Sequence, residues 1–115
     1  MATIGGMVLR STKKEETAAF YRVLGISLTE HSHGGPMHFE MMPNDAELVF
    51  ELYAASQSYK RDAIMIFVEQ LEDTLEKLRN FGVPWYGHTH ETVTMRFFYT
   101  CDPDQRDVLI IQKKS

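Results

Sequence analysis

Among the residues in this sequence with the means to do chemistry, the carboxylate Glu51, five histidines and one cysteine, Cys101, draw attention first. Glu51 and His38 make the most pointed combination. Met37 to Met42 and Glu47 to Tyr53 read as the two strands of a hairpin across Pro43-Asn44-Asp45-Ala46. With Asn44-Asp45 at its tip, His38 stands opposite Glu51. Directly opposed residues point to one face with their Cβ atoms ~5 Å apart. An imidazole and a carboxylate so placed form an ion pair or an acid–base couple, a combination that clusters at functional sites. The plainer reading is a structural cross-strand pair.

Two His-x-His pairs, His31/His33 and His88/His90, invite a metal reading because alternate strand residues share a face. Both fall at expected strand ends beside Gly, Ser or Thr, and no Cys or further acid stands at a recognised zinc spacing. They read as surface or loop histidines, with His88-Thr89-His90-Glu91 the better metal candidate of the two. Cys101 lies in a strand pattern just before a turn and reads as a small buried apolar group rather than a nucleophile. No Gly-rich phosphate loop, G-x-S-x-G elbow or H-E-x-x-H helix is present.

Composition narrows the class. At 115 residues, 43% apolar and 24% charged, the chain reads as one soluble globular domain with a core of its own. A formal charge of −4, with basic pairs scattered rather than clustered, argues against a nucleic-acid partner. A single cysteine permits no internal disulfide and favours a cytoplasmic setting. No apolar run is long enough for a membrane span, and none marks a secretory leader.

The elements that must position these residues recur in order. Thr3 to Arg10 reads as a strand with Gly5-Gly6 near its start. Thr12-Lys13-Lys14-Glu15 has capping-box spacing and opens a helix to about Leu24 that buries Phe20 and Leu24 and stops at Gly25. Strands follow at Ile26 to His31, Met37 to Met42 and Glu47 to Tyr53, and Ser56 to Arg61 reads as a linker. The order then restarts. Ala63 to Val68 is a strand, and Leu71, Leu75 and Leu78 mark a helix ending at Gly82. Val83 to Tyr86, Met95 to Cys101 and Val108 to Gln112 are strands. A fixed shift carries Gly6 onto Ala63, Arg22 onto Arg79 and Gly25 onto Gly82; grown by one residue, it carries Glu51 onto Leu109. Such copies bury their apolar faces against each other. The expected fold is α/β (α+β): two tandem βαβββ repeats, about 1–56 and 61–115, curling a mixed sheet into a cup with helices outside.

The aromatic-ended helix Phe20-Tyr21-Arg22-Val23-Leu24-Gly25, with the final strand–Asp102-Pro103-Asp104–strand hairpin, resembles the vicinal-oxygen-chelate superfamily over nearly the whole chain. That group includes glyoxalase I, bleomycin-resistance proteins and extradiol dioxygenases. The resemblance implies the same cup fold, a homodimer and a small-molecule site in the cup. In metal-using members four strand residues drawn from His, Gln and Glu hold a divalent ion. Carried over, those places are Gly6, Glu51, Ala63 and Leu109. Only Glu51 can ligate, and one carboxylate does not hold a specific divalent ion.

The leading reading is therefore a metal-free protein that encloses an apolar or aromatic small molecule. Glu51 and His38 would orient it, and Met65, Phe67, Trp85, Tyr86, Phe98, Leu109 and Ile111 would supply contact area. No cofactor is expected on this reading. The alternative is an enzyme of the lactoylglutathione lyase, isomerase or dioxygenase kind. It would use acid–base catalysis by His38 and Glu51, or a relocated Ni, Zn, Mn or Fe ion. A further alternative is a non-catalytic dimerisation or regulatory module.

Overall fold

The computed structural model describes residues 2–32, 35–41, 48–82 and 85–114, with the backbone alone for 85–87. The elements run β1 (Thr3–Ser11), α1 (Lys14–Val23), β2 (Leu28–His31), β3 (His38–Met41), β4 (Val49–Ala54), β5 (Ala63–Phe67), α2 (Leu71–Phe81), β6 (Trp85–Glu91), β7 (Met95–Cys101) and β8 (Asp107–Lys113). This is the expected βαβββ order, given twice. Two compact units result, Gly6–Asp62 and Ala63–Ser115 with Met1–Gly5.

In the first unit the strand order is β2-β3-β4-β1, with β1 parallel to β4 and the rest antiparallel. Alternation along the strands divides its residues between two faces. Ala18 of α1 packs with Leu28, Phe39 and Leu52 on one face, and Leu9, Tyr21, Ile26, Met41 and Phe50 close the cluster. The Arg22 guanidinium lies 4.9 Å from the Phe39 ring centre and donates to the Leu28 carbonyl at 2.8 Å, so the last turn of α1 is pinned by a cation as well as by apolar contact.

The helix meets the sheet along a different stripe from the expected one. Phe20 and Leu24 are exposed, at 60% and 63%, while Ala18 is fully buried and Tyr21 packs against Phe50. A small residue at the centre of the contact lets the helix approach closely, and the larger Phe20 is turned outward. The capping box is not formed either. The helix starts after Lys13, without a side-chain cap; Ser11, not Thr12, accepts the Lys13 N–H at 2.9 Å and pairs with the Thr17 hydroxyl. Both helices stop where the sequence indicates, with Gly25 and Gly82 at φ of 98° and 95°.

The second unit repeats the plan as β5-β8-β7-β6, with β5 parallel to β8. Leu71, Leu75 and Leu78 of α2 cover Phe98, Ile110, Ile66 and Val108. The first N–H of α2 is satisfied from the sheet, since Leu71 donates to the Gln112 side chain at 2.7 Å. Asp102 organises the β7–β8 turn. Its carbonyl accepts from Gln105 at 2.8 Å and its carboxylate accepts from the Arg106 N–H at 2.9 Å. The Arg106 N–H bond, with the Arg106 guanidinium alongside, holds the Asp102 carboxyl below the usual carboxylate range.

The repeat shift is visible in the ladders. Val8 pairs with Glu51 in β1–β4, and Met65 pairs with Leu109 in β5–β8, so Glu51 and Leu109 occupy equivalent places. Gly6 has φ of 144°, and a Cβ there would run into the Val49 carbonyl of β4. The glycine is required by the close approach of two backbones, not by a ligand.

Candidate functional site

The face of the first unit turned away from α1 carries its polar chemistry. His38 and Glu40 alternate on β3, Glu51 and Tyr53 alternate on β4, and Arg10 pairs with Tyr53 from β1. Glu40, not His38, stands directly across from Glu51, and Phe39 stands across from Leu52. The ladder is displaced by two residues from the expected one. A displacement of that size preserves faces because side chains alternate with a period of two. His38 thus remains on the Glu51 face, diagonal to it. The Asn44-Asp45 tip on which the expectation rested lies outside the described residues.

The three groups converge. His38 Nε2 lies 2.7 Å from Glu40 Oε1 and 3.5 Å from Glu51 Oε2. Nδ1 of the same ring is 3.3 Å from the Pro36 carbonyl oxygen. The imidazole is 1% exposed, and the two carboxylates are 14% and 12% exposed. Tyr53 stacks on the ring at 4.2 Å with an interplanar angle of 14°, and His31 meets it edge-on at 6.0 Å. The Arg10 guanidinium lies over the Tyr53 ring at 4.4 Å and over Tyr59 at 4.9 Å.

This geometry has an electrostatic consequence. Two carboxylates face each other on neighbouring strands, a like-charge arrangement that costs stability unless a cation is shared. The Pro36 carbonyl can only accept, so Nδ1 carries a proton when that bond is made. With the Nδ1 proton so used, the 2.7 Å contact of Nε2 with the Glu40 carboxylate requires a second proton between them, on the imidazole or on the carboxyl group. Chemically, such an arrangement can hold a cation or pass a proton.

Glu40, Tyr53 and Arg10 were not singled out in the sequence. The available signal was the spacing of two between His38 and Glu40, which on a strand places both on one face.

The remaining expected site residues belong to the second unit. Met65, Phe67, Leu109 and Ile111 are on its face away from α2, paired as Met65–Leu109 and Phe67–Ile111; Phe67 carries the Lys113 ammonium over its ring at 4.3 Å. Phe98 is not on that face. It is fully buried beneath α2 with Leu71 and Ile110, one residue out of phase with Phe97 and Tyr99, and is a core residue rather than a ligand contact. The side chains of Trp85 and Tyr86, and the whole of His33, lie outside the described residues. His88 and His90 lie within β6, which runs past the expected end at Tyr86; His90 is its last residue but one, and His88 is exposed, as expected. Their rings are 5.1 Å apart, and His90 stacks on Phe97 at 5.1 Å. Among the described residues the one group of three metal-type donors is His38, Glu40 and Glu51. Cys101 is buried, as expected.

The sequence matches no family profile and no curated protein. Solved structures do match. A hypothetical protein from Bacillus halodurans superposes with a TM-score of 0.73 at 13% identity, covering 99% of this chain and 96% of that one. A glyoxalase/bleomycin resistance protein/dioxygenase superfamily member from Vibrio splendidus gives 0.68 at 13%, covering 97% and 99%. The Streptomyces coelicolor methylmalonyl-CoA epimerase in complex with 2-nitronate-propionyl-CoA gives 0.69 at 12%, covering 97% of each. The chain therefore has the glyoxalase/bleomycin-resistance fold of the vicinal-oxygen-chelate proteins, as its sequence suggests. At such identities the likeness establishes the fold, and activity has to be argued from this chain's own residues.

The metal positions that the fold family implies do not fit an ion here. Gly6, Ala63 and Leu109 offer no donor atom, and the last two are buried apolar side chains. Glu51 alone could ligate.

Proposed function

We propose that the chain is a small-molecule-binding protein in which His38, Glu40 and Glu51 take the polar end of an apolar or aromatic ligand. The carrying observation is a buried imidazole whose Nε2 faces two carboxylates on the sheet face away from the helix core. A hydrophobic core gains nothing from desolvating three such groups, which is the reason to assign them to recognition. The Tyr53 ring and Val8 beside them offer apolar contact, the usual company of polar anchors in ligand sites. The Streptomyces coelicolor neighbour carries a CoA ester, so acyl thioesters belong in the first screen beside aromatic acids and quinones. A bound ligand at 100 times its Kd raises stability by about 2.7 kcal/mol. Thermal-shift screening should find such a compound, and Glu51→Gln should remove the shift. A panel that leaves the melting curve unmoved overturns the proposal.

A second reading is favoured by the same contact. A proton held in the 2.7 Å contact between Nε2 and Glu40 Oε1 would be one a bound substrate can take or return, so the cluster suits proton transfer at carbon, the isomerase class. Incubating candidate thioesters in D2O tests it. Deuterium should enter beside the carbonyl with wild type and not with His38→Ala. Equal exchange in both sinks the enzyme reading and leaves binding intact.

For partners, the proposal includes a homodimer, as the family resemblance implies, and neither nucleic acid nor membrane. No helix among the described residues is long and apolar enough to cross a membrane. Sedimentation equilibrium decides the dimer.

A further inference from the structure

We infer that His38, Glu40 and Glu51 form a divalent-metal site, displaced by one strand from the place where the fold family puts its ion. The inference rests on reading this cluster as functional, and it names what occupies it before any organic ligand arrives.

Each of the three residues offers one donor atom, and the three atoms lie within 4.8 Å of one another. First-row ions bind imidazole nitrogen and carboxylate oxygen at about 2.0–2.2 Å, so donors round one ion stand roughly 3 Å apart. The Nε2 distances of 2.7 and 3.5 Å bracket that spacing. The outer contacts favour the same outcome. An imidazole that ligates through Nε2 commonly donates its Nδ1 proton to a backbone carbonyl, which fixes the tautomer. Pro36 provides that carbonyl. Tyr53, stacked on the ring, fixes its plane.

Charge argues in the same direction. Glu40 and Glu51 are directly opposed and partly buried, and a dication between them removes their repulsion more completely than a proton does. Three protein donors from two adjacent strands leave coordination positions open for water or ligand oxygens, as in catalytic rather than structural sites. One nitrogen and two oxygens without sulfur select Zn²⁺, Mn²⁺ or Fe²⁺ in preference to Cu⁺. Glu51 thus keeps a metal-binding role at the family position. The partners come from β3, where the sequence has His38-Phe39-Glu40, instead of from Gly6, Ala63 and Leu109.

The test is calorimetric titration of the chelator-treated full chain with Zn²⁺ and Mn²⁺ at pH 7, with no organic ligand present. The expected result is one ion per chain, with affinity reduced at least tenfold in Glu40→Gln, Glu51→Gln and His38→Ala. A His88→Ala/His90→Ala double variant should bind as wild type does. Circular dichroism shows which variants fold; should His38→Ala not fold, the two Glu→Gln variants carry the comparison. Co²⁺ substitution adds a spectroscopic readout of the ligand set, visible d–d bands that shift or disappear with Glu51→Gln. The inference is overturned if titration shows no saturable ion, or if the ion is lost in the His88/His90 variant and retained in the cluster variants. Absence of metal would leave the proposal of ligand binding standing, because thermal-shift screening in excess chelator tests that separately.

Discussion

Glu40 and Glu51 face each other directly across the β3–β4 ladder, and the imidazole of His38 lies between their carboxylates on the same face. Neither glutamate belongs to the apolar cluster beneath α1, so their energetics can be altered without opening that core.

The two carboxylates are not equivalent in stability. Glu40 makes the short contact with Nε2, and hydrogen bonds to charged groups contribute about 1.5–3 kcal/mol. Glu40→Gln should therefore cost about that much in urea denaturation of chelator-treated protein. Glu51→Gln, whose contact is longer and whose removal relieves the like-charge pair, should cost less than Glu40→Gln. Equal losses, or a larger loss for Glu51→Gln, would mean that the two oxygens share the imidazole differently from the geometry described.

Phe98 distinguishes core from site. It is fully buried with Leu71 and Ile110, so Phe98→Ala should destabilise by about 3–5 kcal/mol through the lost side chain and the cavity left behind. Phe98→Leu should fold and leave ligand and metal binding unchanged. A selective loss of binding in folded Phe98→Leu would return this residue to the site.

The sequence carried the element order and much of the core. Gly25 and Gly82 end their helices as read, Leu71, Leu75 and Leu78 face the sheet, and the match of Glu51 to Leu109 survives in the ladders. What it did not carry was set by tertiary fit. Phe20 and Leu24 have helical spacing for burial, yet the stripe that packs is centred on Ala18, because close approach to Phe39 and Leu52 favours a small residue. The direct partner of Glu51 is Glu40 rather than His38 because hairpin register depends on turn geometry, which residue types at the tip constrain only loosely. Gly and Thr beside His88 and His90 mimic a strand boundary, yet β6 continues through them to Glu91 with a register shift between Tyr86 and His90.

Gly6 should be intolerant of any side chain. A Cβ meets the Val49 carbonyl, and φ of 144° is strained for an L residue, so backbone and packing costs coincide. Gly25, also at positive φ, has open space where its Cβ would be. Gly25→Ala should cost about 1 kcal/mol, the penalty of the left-handed conformation alone. Gly6→Ala should cost several-fold more or fail to fold. Parallel urea titrations decide; comparable losses at the two positions would show that β1 can move away from β4 at little cost.

Acid should weaken the β7–β8 turn through Asp102. Bonds from the Arg106 N–H and guanidinium hold its folded-state carboxyl below the usual value. A depressed carboxyl contributes stability that is fully present above the unfolded value, about 3.9, and is lost as pH falls through the lower folded value. Asp102→Asn removes that contribution, so the variant should be less stable than wild type at pH 6, and the gap should close progressively below about pH 4. The Arg106–Asp102 ion pair is exposed on the arginine side, so the effect is set mainly by the backbone N–H bond and should survive added salt better than a surface ion pair does. Urea midpoints at pH 6 and pH 3, each at low and high salt, measure both points. A gap independent of pH would assign the Asp102 contribution to turn geometry rather than to its charge.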